Sequence, residues 1–179
     1  MSRRALLGAL LGLAPLGGCG FRPVYAPGGG EREPDAVSAA TALELASVRV
    51  APMYERTGQQ FRRFLQRRLE GRVPGTPARY LLTVTMVQEV EPLGFRQDGT
   101  ITRIRFVANA NWVLSTEADE PQVVERGQAR TLDSFNIPDL QFYASEVAGE
   151  AAQRRLQEEL GERVVQGVAL ALARRRRAG

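Results

Sequence analysis

The sequence predicts an α+β fold, a two-layer sandwich ordered strand-helix-strand-strand-strand-helix, with two helices packed on one face of a mainly antiparallel four-stranded sheet. Three patterns predict it. Phe61, Phe64, Leu65 and Leu69 recur at helical spacing. Between Tyr80 and Phe135 three stretches alternate apolar and polar residues with a period of two, separated by turn-forming residues. A long Ala- and Leu-rich stretch then carries an apolar residue at every fourth position. A run of strands with helices segregated to one side is the signature of this two-layer class.

Taken in order, Leu45 to Met53 is Val-rich, alternates weakly and is closed by Pro52, which reads as a first strand. Thr57 is placed to cap the first helix, whose polar positions hold Arg62, Arg63, Arg67 and Arg68, and Pro74-Gly75 terminates the helical pattern. Tyr80, Leu82, Val84, Met86 and Val90 alternate with Thr83, Thr85 and Glu89 as a half-buried strand. Asp98-Gly99 signals a hairpin. In the next strand Ile104, Phe106, Ala108, Ala110, Trp112 and Leu114 share one face, and Arg103, Arg105, Asn109 and Asn111 the other. Val123 to Phe135 returns with Arg126, Gln128 and Arg130 on one face, and Gly127 marks a bulge or a close approach. After Asn136-Ile137-Pro138, Asp139 is placed to cap a final helix in which Ala144, Ala148, Ala152, Leu156, Leu160, Val164, Val168 and Leu172 line up. Arg174 to Arg177 complement the negative end of that helix, as a solvated tail or against anionic head groups.

The N-terminus reads as an address. Arg3 and Arg4 precede an apolar run from Ala5 to Leu16 and the small residues Gly17-Gly18, the three-part pattern of a secretory signal. Leu16-Gly17-Gly18-Cys19 resembles the bacterial lipobox, which implies acylation of Cys19 and cleavage before it. Gly20 follows, with no Asp there to resemble an inner-membrane retention signal, so outer-membrane attachment is expected. Residues 1–18 are then a signal peptide, 19–43 a Gly- and Pro-rich tether, 44–173 the sandwich domain and 174–179 a basic tail.

Composition narrows the chemistry. The chain has 179 residues, no His and a single Cys, so Ser/His and Cys/His nucleophile pairs and His- or Cys-built zinc sites are excluded. No Asp/Glu pair stands out, and neither an enzyme nor a cofactor is expected. Of 24 basic and 20 acidic residues, losing Arg3 and Arg4 leaves 22 against 20, too even a balance for bulk attraction to nucleic acid. Every basic residue is Arg, whose planar fork suits phosphate.

Three blocks resemble the LptE family of lipopolysaccharide-assembly lipoproteins. They are Gly18-Cys19-Gly20-Phe21-Arg22-Pro23-Val24-Tyr25, then Val48 to Pro52 leading through Gly58-Gln59 into Phe61 to Leu69, and Ser134-Phe135-Asn136 followed by Tyr143-Ala144 and the Ala-rich helix. The resemblance implies an outer-membrane lipoprotein that plugs and helps assemble the LptD β-barrel, contacts lipopolysaccharide, and assists its transport to the outer leaflet. Arg96, Arg103, Arg105, Arg126 and Arg130 are the candidates for lipid A phosphates. Phe21, Tyr25, Asn109 and Asn111 are the candidates for the partner interface. Two other readings fit the same anchor and sandwich: a pilot or scaffold for another barrel or secretin, and a lipid-binding lipoprotein that works alone.

Overall fold

A computed structural model of the chain describes residues 36–71, 73–138 and 142–178. The signal run, Cys19, Phe21, Tyr25 and the expected cap Asp139 lie outside the described residues. The order is α1 (Ala36–Ala46), β1 (Val48–Val50), α2 (Glu55–Glu70), β2 (Tyr80–Phe95), β3 (Ile101–Thr116), β4 (Val123–Asn136) and α3 (Phe142–Ala178). The four strands form one sheet in sequence order, β1 parallel to β2 and the other pairs antiparallel. The α+β class and the strand order agree with the sequence patterns.

The two layers arise from side-chain period. Phe61, Leu65 and Leu69 of α2 are buried against Val48, Val50, Tyr80, Leu82 and Leu114 in one core, which Ala152, Leu156, Leu160, Val164, Val168 and Leu172 of α3 complete. Burying each of the larger side chains contributes about 1.5–3 kcal/mol. Trp112 occupies a slot that two glycines make. A Cβ on Gly127 of β4 would overlap the indole, and one on Gly167 of α3 would stand 2.7 Å from it. Of the two roles expected for Gly127, close approach is the one found; the register shift of the β3–β4 pair falls between Leu114 and Ser115 of β3, opposite Glu125 and Val123. Phe106 and Phe135 stack at 5.6 Å farther along the same face.

Four boundaries differ from the sequence expectation. A helix, α1, occupies Ala36–Ala46, where a tether and the start of a strand were expected, and β1 shrinks to Val48–Val50. Helix α2 begins at Glu55 after Tyr54, with no side-chain cap, so Thr57 lies inside its first turn. Strand β2 runs past Val90 to Phe95, and the turn Arg96–Thr100 closes around the expected Asp98-Gly99. Arg174 to Arg177 belong to the last turns of α3, where Arg174 pairs with Glu125 at 3.1 Å and Arg176 approaches Glu44 at 3.9 Å.

Strand β1 is held by α2 as well as by β2. The Val50 N–H donates to Gln66 Oε1 at 2.9 Å, and Gln66 Nε2 donates to the Val48 carbonyl at 3.3 Å. Arg62 Nε donates to the Val50 carbonyl at 3.1 Å. Two side chains of the helix therefore stand where a fifth strand would.

Candidate functional site

The helices cover one face of the sheet, and the register defines what the other presents. Thr83, Val113 and Arg126 form one row across β2, β3 and β4. Thr85, Asn111 and Gln128 form the next, then Val87, Asn109 and Arg130, then Glu89, Val107 and Leu132, then Glu91, Arg105 and Ser134. Arg103 lies opposite Asn136 at the far end. This face carries four arginines against two glutamates, with threonines and amides between them. It is not uniformly polar: Val107 is buried beneath its longer neighbours, while Val87 and Leu132 stay half exposed.

All four strand arginines named from the sequence, with Asn109 and Asn111, thus lie on one surface. They form two groups. Arg105 is four residues from Asn109, the partner of Arg130, so about 13 Å of strand separates it from Arg130. At the hairpin end Arg105 reaches Glu91 at 3.4 Å and Arg103 Nη2 donates to Ser134 Oγ at 2.9 Å. Arg96 sits in the turn itself, donating to Thr100 Oγ1 at 3.2 Å and to the Ile137 carbonyl at 3.4 Å. Arg126 and Arg130 are exposed and, among the described residues, their side chains make no hydrogen bond or ion pair, which leaves their forks open to a ligand.

The turn is fixed by Asp98. Its Oδ1 accepts the Thr100 hydroxyl at 2.6 Å and the Thr100 N–H at 2.9 Å, while Gly99 takes a φ of 83°. The bond from the Thr100 hydroxyl, then that from its N–H, with a smaller contribution from Arg96, holds the Asp98 carboxyl below its ordinary range. Beside the turn, Val90, Leu93, Phe95 and Ile101 are exposed. The strand pattern read from the sequence reaches only Val90, so this apolar hairpin end was not expected. The longer β2 is what brings it together.

The comparisons with known proteins agree on the fold. The family model LptE, described as lipopolysaccharide-assembly, matches residues 43–168. A lipoprotein structure from Caulobacter crescentus shares 24% identity at a TM-score of 0.58, covering 75% of this chain and 97% of that one. The rare lipoprotein B from Shewanella oneidensis shares 14% identity at a TM-score of 0.55, covering 72% and 96%. Lipoprotein B from Nitrosomonas europaea shares 13% identity at a TM-score of 0.52, covering 68% and 81%. No curated protein sequence matches.

Proposed function

The chain belongs to the LptE family of lipopolysaccharide assembly, and from that premise we propose that it is the lipoprotein partner of an LptD-type outer-membrane β-barrel. In this reading it is anchored through Cys19, seats in the barrel lumen, helps the barrel assemble, and assists lipopolysaccharide on its way to the outer leaflet. The observation that carries the reading is the exposed sheet face. The lumen of a large barrel is polar, and a plug must meet it with hydrogen-bonding groups held on a rigid support. Thr83, Thr85, Asn111 and Gln128 supply such groups from a sheet whose other face is the core. No catalytic step is needed.

The same face supports a contact with lipid A phosphates. Arg forks bind phosphate through paired, charge-assisted hydrogen bonds, and Arg126 and Arg130 are the two whose donors are uncommitted among the described residues. Arg103 and Arg105 serve as a second group, after exchanging Ser134 and Glu91 for the ligand. The test is equilibrium binding of lipopolysaccharide to the full chain. Replacing Arg126 and Arg130 together by Gln is expected to weaken binding about tenfold, equivalent to ~1.4 kcal/mol. Unchanged binding when Arg96, Arg103, Arg105, Arg126 and Arg130 are all Gln would remove the phosphate assignment.

A further inference from the structure

Strand β2 is sixteen residues long, yet β1 pairs with only its first three, Tyr80 to Leu82. The last rung is the Ala51 N–H donating to the Leu82 carbonyl at 2.9 Å. Pro52, with no N–H to offer, comes next and the chain turns into α2. Since the N–H and carbonyl of Leu82 face β1, strand alternation turns those of Val84, Met86, Gln88 and Val90 to the same side. Among the described residues no strand pairs with them there.

The other edges are guarded. Gln66 and Arg62 occupy the outer side of β1. Strand β4 carries Arg126 and Arg130 on one face, and Glu125 and Asp133, paired with Arg174 and Arg155 of α3, on the other. Charges of this kind keep an edge from pairing. The β2 segment from Thr83 to Gln88 reads Thr-Val-Thr-Met-Val-Gln, six strand-forming residues without a charge, a Pro or a Gly.

A groove of about 560 Å³ lies at this edge, walled by Met53, Tyr54 and Glu55 and by Thr83, Val84, Thr85, Met86 and Gln88. Two features inside it are left unresolved by the chain. Gln88 Nε2 is shut off from solvent with no hydrogen-bond partner. Glu55 is held at a φ of 63°, a conformation that costs a non-glycine residue energy and that concentrates at ligand clamps.

We infer that this edge receives an extended strand of another polypeptide, carrying a hydrogen-bond acceptor over Gln88 and a basic side chain beside Glu89. Strand addition of this kind takes affinity from main-chain hydrogen bonds and specificity from alternate side chains. The inference rests on the reading of a barrel partner, and the strand is assigned to that partner.

A second copy of this chain does not fit the same edge. In an antiparallel pair each copy's β1 would occupy the side meant for the other's β2. The registers that clear both β1 strands and still engage the edge before Glu89 set Glu89 or Glu91 against Glu89 or Glu91. Like charges directly opposite oppose pairing. A single strand of opposite charge meets neither obstacle.

The test uses the full lipidated chain purified with its barrel in detergent, with a photo-crosslinking residue at Tyr54, which is exposed in the groove wall and lies off the sheet face, and, as a control, at exposed Gln166 of α3. Position 54 is expected to crosslink to one short segment of the barrel polypeptide that position 166 does not reach. Backbone amides across residues 84–90 are expected to exchange at least tenfold more slowly in the complex than in the free chain. Gln88→Pro, which removes an edge N–H but leaves the side facing β3 intact, is expected to reduce the crosslink from position 54 at least fivefold. If the barrel co-purifies but position 54 crosslinks to a second copy or to nothing, and exchange is unchanged, the inference falls and the barrel reading stands. If no barrel co-purifies, both fall.

Discussion

Trp112 shows how single residues set this fold. The largest side chain of β3 lies in the core because Gly127 and Gly167 leave it room, and neither position tolerates a methyl group without displacing the ring. Gly127→Ala is expected to destabilise the chain by about 1–3 kcal/mol, the usual cost of overpacking, read as a lower urea midpoint. Asp98 acts at the surface. Its carboxyl titrates below the ordinary 3.8, so ionised Asp98 stabilises the hairpin above that pH, and the contribution is lost as the pH falls through the lowered value. Asp98→Asn is expected to abolish this acid dependence. Amide-proton spectra of Thr100 between pH 2 and 6 check it: the wild-type signal should move and the variant's should not. Asp98-Gly99 was legible in the sequence because the turn chemistry is local. The slot for Trp112 was legible only as an isolated Gly in a strand, since its other wall comes from a helix more than fifty residues away in sequence.

At the scale of elements, the periods of α2, β3 and β4 were readable because each has one buried face. Helix α1 was not: its sequence, Ala-Val-Ser-Ala-Ala-Thr-Ala-Leu-Glu-Leu-Ala, has no strong apolar stripe and comes after a Gly- and Pro-rich stretch. The length of β1 was hidden for a different reason. Leu45 to Met53 is strand-like in composition, but the paired part ends where Gln66 and Arg62 of α2 take over its outer edge and Pro52 turns the chain. Gln66 is therefore a connecting residue. Gln66→Ala orphans the half-buried Val50 N–H and is expected to cost about 1–3 kcal/mol, whereas Gln66→Glu keeps the acceptor and should cost less. Chemical denaturation of the two variants checks the order. The open edge of β2 escaped sequence reading altogether, because it exists only through the shortness of β1.

At the scale of the molecule, one face of the sheet is core and the other is a surface of amides, hydroxyls and arginines. That division was visible in the alternation of β3 and β4, including every strand arginine later found on the surface. Their separation into two groups was not, since register between strands is not written in either strand alone. In the proposed function the chain is a component of a larger assembly, and its exposed sheet face, its apolar hairpin end and its open edge are the surfaces proposed to meet the partner. Each of these three surfaces lies where the helices do not cover the sheet.

The measurement that tests this account most directly is a purification of the full chain from outer membranes in detergent through a C-terminal tag, with stoichiometry read from stained bands and identities from mass spectrometry. An LptD-type barrel is expected in a one-to-one ratio, retained at high salt because polar and apolar contacts hold it together with charge. A chain that elutes alone with bound lipid, or in stoichiometric complex with a different barrel, would contradict it.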